Sequence, residues 1–194
     1  MTYNAEIHQR RSIRLREYDY AAAGAYFVTI CAQGRECLFG GISAGMMTVN
    51  EAGRMVEAVW QGLPERFPHI ALDEFRIMPN HFHGIVMLHD RRGESRIRPT
   101  PQGDHKDQGD HKDRPYGTAA DSVGRVVQAF KSLTTNAYIR GVKDQNWPPF
   151  PGRVWQRDYY ERIIRNDDEI CVIREYIINN PANWAEDEEN PHTP

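Results

Sequence analysis

The residues best suited to chemistry are His81 and His83, in the run Met78-Pro79-Asn80-His81-Phe82-His83-Gly84-Ile85-Val86. Side chains on a strand alternate between faces, so both imidazoles project together while Phe82 points the opposite way into a core. Two imidazoles at that separation can share one divalent metal ion. Gly84, just after them, is expected to leave room for a close-approaching backbone, of protein or of nucleic acid. The second group is Tyr176 and Asn180, in Glu175-Tyr176-Ile177-Ile178-Asn179-Asn180-Pro181. On a helix these two lie four apart on nearly one face, with Val172 a turn earlier and Ile170, Ile173 and Ile177 forming an adjacent apolar stripe. A phenol at the edge of a buried face is either a nucleophile or a core tyrosine with its hydroxyl at the surface. Asn179 and Asn180 could equally well end the helix before Pro181. The third group is cationic: Arg125, Lys131 and Arg140 on one amphipathic stretch, with Arg153, Arg157, Arg162 and Arg165 further on. Such charges form a solvated face unless they share the side of the histidines, where they would meet phosphate.

The elements that must position these residues follow from periodicity. Residues 26–31 are aromatic and β-branched between glycines and read as a strand, after which the chain turns through Gly40-Gly41. Asn50 caps a helix whose apolar positions are Ala52, Met55, Val56, Val59 and Leu63. Residues 70–78 and 81–88 form a hairpin turning at Pro79-Asn80. A helix runs from Ser122 to about Arg140 on Val126, Val127, Phe130, Leu133 and Ala137, and Gly141 is expected to end it. A strand lies within 154–164, and Asn166 with Glu169 three residues on caps a last helix reaching about Asn179. The order β-α-β-β-α-β-α predicts an α+β fold: a ferredoxin-like antiparallel sheet with helices on one face and an added C-terminal helix carrying Tyr176.

The 194 residues fit one domain, expected over 1–184, with an acidic tail at 185–194. Within the domain, Gly103-Asp104-His105-Lys106-Asp107-Gln108 is nearly repeated from Gly109 to Arg114, which predicts a mobile, solvated insertion at 90–120 rather than a metal site. A 40% hydrophobic and 26% charged composition excludes a disordered chain. The net charge of −3 does not announce a nucleic-acid partner, but Glu186, Asp187, Glu188 and Glu189 alone outweigh it. Cys31, Cys37 and Cys171 form no Cys-x-x-Cys pair, which excludes a disulfide framework and a zinc knuckle and makes a reducing cytoplasm the expected location. The apolar stretch at 21–32 follows Arg10-Arg11, but Glu17 and Asp19 between them break the signal-like pattern and the stretch is far too short to span a bilayer, so no membrane partner is expected.

Taken jointly, Pro79-Asn80-His81-Phe82-His83-Gly84, Phe130-Lys131-Ser132, Trp155-Gln156-Arg157-Asp158-Tyr159-Tyr160 with Ile164-Arg165, and Glu175-Tyr176-Ile177 with Asn179-Asn180-Pro181 resemble the REP-associated tyrosine transposases, members of the single-tyrosine HUH superfamily. The resemblance spans residues 11–184 apart from the insertion. It implies that His81 and His83 bind a divalent cation, Mg²⁺ or Mn²⁺, with Asn180 as third ligand and Asn179 as the alternative. A glutamine commonly fills that role in insertion-sequence relatives. It implies further that Tyr176 attacks a phosphodiester to give a 5′-phosphotyrosine and a free 3′-hydroxyl, cleaving and transferring strands of single-stranded or hairpin DNA in DNA transposition and recombination. Lys131, Arg157 and Arg125 are the expected DNA contacts. In some relatives the tyrosine helix is shared between subunits, so a homodimer could pair Tyr176 of one chain with His81 and His83 of the other. Three rival readings are a non-cleaving DNA-binding protein derived from such an enzyme, an RNA-binding module built on the same topology, and a metal-dependent hydrolase that would not need Tyr176.

Overall fold

The alternation in β1 (Gly24–Cys31) divides its side chains between two cores: Tyr26, Val28 and Ile30 enter one, Ala25 and Phe27 the other. β5 (His81–Leu88) divides the same way, sending Phe82, Val86 and Leu88 to the first core and Ile85 to the second. Residues 22–89 and 121–191 are those described by this computed structural model. The insertion expected at 90–120, and the start of the resemblance near Arg11, lie outside them.

With β4 (Ile70–Ile77) and β6 (Tyr160–Ile164) these strands form an antiparallel sheet in the order β4-β5-β1-β6. That is the ferredoxin-like order, and the α+β expectation holds. A small hairpin, β2 (Gly40–Ser43) with β3 (Met46–Val49), occupies the place where only a turn at Gly40-Gly41 was expected. Each of its strands has four residues, too few for alternation to register.

One face of the sheet is covered by α1 (Glu51–Gln61), which the short α2 (Leu63–Arg66) extends, and by α3 (Val123–Asp144). Between them Trp60 packs 4.5 Å from the Phe82 ring and 5.3 Å from that of Phe130. The Asn50 side chain accepts from the Gly53 amide and starts α1, as its position implied. α3 does not stop at Gly141 but continues to Asp144. The glycine is there because the Trp147 indole lies flat against it, within 2.2 Å of where a Cβ would be, so its role is close packing rather than termination. The strand expected within 154–164 is paired only over its last five residues, and Trp155 makes an isolated bridge to Ala32 before it.

The opposite face carries α4 (Asp167–Asn179). Ile170, Ile173 and Ile177 pack on Ala25, Phe27, Ile85 and Ile164 of the same chain's sheet. Glu169 accepts from the Arg165 amide while Asn166 accepts from that of Glu169, which closes the helix start. A two-pronged pair from Arg174 to Asp73 on β4 fixes the rotation of α4 over the sheet, and Arg174 holds the Asp73 carboxyl below the usual carboxylate range. No helix among the described residues is long and apolar enough to cross a membrane.

Gly84 is not an opening beside the histidines. It shares the face of Phe82, and an added Cβ would come within 2.6 Å of the Trp60 ring and 2.8 Å of the Phe82 ring. Gly84→Ala should therefore destabilise the protein by about 1–3 kcal/mol through overpacking, read as a lowered urea midpoint at unchanged slope. An unchanged midpoint would mean that these rings can shift freely.

Candidate functional site

Strand register assembles the site at one end of the sheet, on the face covered by α4. His81 lies opposite Cys31 and His83 opposite Thr29 across the β1–β5 ladder. Both imidazoles are buried. The His81 Nδ1–H donates to Asn80 Oδ1 over 2.9 Å, and Asn80 is itself oriented because its Nδ2 donates to the Arg35 and Glu189 carbonyls. His83 Nδ1 meets the Thr29 hydroxyl at 2.8 Å. With their outer nitrogens so held, the two Nε2 atoms face each other 2.9 Å apart.

Burial lowers the pKa of His81 to about 4, and burial together with His81 lowers that of His83 well below the ordinary value. Both rings are thus neutral near pH 7, the form in which imidazole binds metal. In that state one Nε2–H donates to the other Nε2. Thr29 can donate to His83 Nδ1 or accept from it, so a change of tautomer releases the His83 Nε2 lone pair while keeping the bond to Thr29, and gives up only the bond between the two imidazoles.

Sequence reasoning did not single out Asp187, which stood there only as one charge of the acidic tail. After a 3₁₀ turn at Trp184–Glu186 the chain folds back, and one atom each from His81, His83 and Asp187 lie within 4.8 Å of one another. Asp187 Oδ2 is 3.8 Å from His81 Nε2 and accepts from Asn180 Nδ2 at 3.1 Å. Asn180 is buried, and its Oδ1 has no hydrogen-bond partner. Asn179, the alternative, is exposed. An orphaned buried acceptor costs about 1–3 kcal/mol, which a cation beside it would recover. Two cis ligands of an octahedral ion, at bond lengths of about 2.1 Å, stand about 3 Å apart, and the Nε2 pair already has that spacing. The donor set therefore fits a divalent ion. Cys31 is a poor competitor, since burial and then Glu189 push its thiol up to about 12.

Tyr176 completes the group. Its hydroxyl lies 3.5 Å from His83 Nε2 while the residue remains 48% exposed, and its ring packs on Phe27. Burial, then Asp187 and Glu188, raise the phenol to about 12. The phenolate is thus strongly disfavoured until positive charge enters the site.

The cationic candidates are placed differently. Lys131 and Arg157 lie at the histidine end of the sheet: the Gln156 amide donates to Cys31 O, and Lys131 Nζ donates to the Gln156 and Arg157 carbonyls at 2.6 and 3.0 Å. Arg157 itself is exposed. Arg125 is also exposed; it stands on α3 like Lys131, on the sheet face away from the histidines, but nearer the start of that helix, where it bonds Gln128 of the same helix.

Thr29→Val tests the outer hydrogen bond. It keeps shape and removes the group that orients His83, and Mn²⁺ affinity should fall about 10- to 100-fold by calorimetric titration. Undiminished affinity would show that packing alone orients the ring.

No family model matches the chain. An uncharacterized protein of Haemophilus influenzae is 41% identical over 187 residues, which cover 96% of each chain. Among solved structures, a REP-associated tyrosine transposase bound to a REP hairpin superposes with a TM-score of 0.54 at 18% identity, covering 89% of this chain and 73% of that one.

Proposed function

Because this chain belongs to one family with the Haemophilus influenzae protein and shares its fold with the REP-associated tyrosine transposase, we propose that it is a metal-dependent single-stranded DNA endonuclease and strand transferase. The observation that carries this reading is the meeting of a half-exposed phenol with two neutral imidazoles, a carboxylate and an orphaned amide oxygen.

His81, His83, Asp187 and Asn180 would hold Mg²⁺ or Mn²⁺, the imidazoles favouring the manganese ion. When bound, that ion supplies Lewis-acid polarisation of a phosphate oxygen and the charge against which a phenolate can form. Tyr176 attacks phosphorus: its phenolic proton is lost as the O–P bond forms, the bond to the 3′ oxygen breaks, and that oxygen takes up a proton to leave as a hydroxyl. The 5′-phosphotyrosine conserves the ester, so another 3′-hydroxyl can reverse the step and join strands without ATP. α4 delivers Tyr176 to the histidines of its own chain. A single strand or hairpin is the fitting substrate because one backbone must enter between Tyr176 and the histidines.

The test is a covalent adduct on a denaturing gel between the full chain and labelled hairpin DNA with single-stranded flanks, with Mn²⁺ or with chelator. The expected result is an adduct only with metal. DNA binding without an adduct across a hairpin library would leave the non-cleaving DNA-binding protein instead.

Lys131 and Arg157 are the proposed backbone contacts, with Arg125 as a more distant one. Burial brings Lys131 down to about 8, below its unfolded value, so its charge is present under pH 8 and lost above it. DNA affinity should accordingly fall as pH rises through 8, and Lys131→Arg should remove that step, read by fluorescence anisotropy. Parallel pH profiles would confine Lys131 to its two carbonyls.

A further inference from the structure

We propose that Tyr160 is a stacking platform for an unpaired base of the DNA strand, beside the phosphate-handling group. This inference rests on the function proposed above. Thr29 is the register partner of His83 on β5 and of Tyr160 on β6, so the three residues form one row across three adjacent strands. Partners in register face the same way, which puts Tyr160 on the metal side of the sheet, two strand spacings or roughly 10 Å from His83. Thr29, small and only partly buried, forms the floor between them.

The ring is held without being covered. Phe27, itself buried, is the hub: its centroid is 5.5 Å from that of His83, 6.0 Å from that of Tyr176 and 6.3 Å from that of Tyr160. The Phe27–Tyr160 contact is edge-type at 68°, an arrangement in which Phe27 can cover at most one Tyr160 face, and the residue stays 40% exposed. Isolated exposed aromatics are ordinary on protein surfaces. Tyr160 differs in being fixed on the same hub as the nucleophile and a metal-binding imidazole. A phosphate held at Tyr176 and His83 projects a neighbouring nucleoside along the row, over Thr29, toward that ring. Every base has a π-face, so the contact would accept many sequences and hold the strand in line for attack.

The experiment places 5-iodouracil at successive positions of a hairpin oligonucleotide with single-stranded flanks, irradiates its complex with the full chain, and maps cross-linked peptides by mass spectrometry. Cross-linking at Tyr160 from one or two adjacent positions is expected. Tyr160→Leu should weaken binding about 5- to 100-fold, and Tyr160→Phe should restore it. An abasic site at the cross-linking position should cost the wild type the same factor and cost Tyr160→Leu nothing more, a non-additivity that a merely structural role would not produce. Adduct formation by the wild type is followed in parallel. Cross-linking and non-additivity without an adduct would uphold the base contact and overturn the cleavage reading. An adduct with additive losses and no cross-link at Tyr160 would overturn the platform alone, and no binding to any oligonucleotide would overturn both.

Discussion

Tyr176→Phe should abolish the covalent adduct, by a factor on the order of 10⁴ or more, while leaving Mn²⁺ and DNA affinity within about twofold of wild type. The selectivity follows from the position of the hydroxyl. The Tyr176 ring contributes packing on Phe27 that phenylalanine reproduces, and the hydroxyl reaches His83 Nε2 only at 3.5 Å, the outer limit of a hydrogen bond. Removing the oxygen thus takes away the proposed attacking atom and little that holds the fold. Sign also matters for the wild type: with the phenol raised to about 12 by burial and then by Asp187 and Glu188, adduct formation should speed up with pH across the neutral range, because more phenolate becomes available. An adduct that survives in Tyr176→Phe would assign the attack to another residue and leave α4 a structural role.

The second large effect belongs to His81. His81→Ala should reduce Mn²⁺ affinity at least about 100-fold and eliminate the adduct, and it should also lower the stability of the metal-free protein by about 1–3 kcal/mol. The stability loss arises because His81 is fully buried, and its removal strands Asn80 Oδ1 and His83 Nε2, both of which it satisfies. Metal binding and folding are separable by linkage: Mn²⁺ should raise the melting temperature of the wild type with the logarithm of its concentration above Kd and leave that of His81→Ala unmoved. A variant still stabilised by Mn²⁺ would move the ion away from the histidine pair.

These two predictions concern residues that local sequence made visible, and the reason is the short reach of the two backbone periods. A period of two was enough to put His81 and His83 together, and a period of 3.6 to put Tyr176 near Asn180. The same period of two, applied one step further, puts Gly84 on the face of Phe82, which is why it meets Trp60 rather than a ligand. Gly141 is a similar case: a glycine near the end of an apolar pattern reads as a stop, and only Trp147 lying against it explains why the helix continues.

The residues that complete the site were not legible, and they share a cause. Thr29 stands 54 positions from His83, and Asp187 is 106 positions from His81; neither type nor spacing marks them, because strand register and the return of the chain after Asn180 bring them in. Tyr160 was visible within a family pattern, but its place in the row with Thr29 and His83 required β6 to pair with β1 at one register. The sequence by itself determined the ferredoxin-like order of elements, the histidine pair and the helix bearing Tyr176, since each depends on interactions within a few residues. The tertiary structure alone decided that Asp187 closes the site, that Asn180 rather than Asn179 turns inward, and that Lys131 reaches the Gln156–Arg157 backbone while Arg125 bonds within its own helix. Those outcomes depend on which face of which element meets which, and that is decided by burying two separate apolar cores at once.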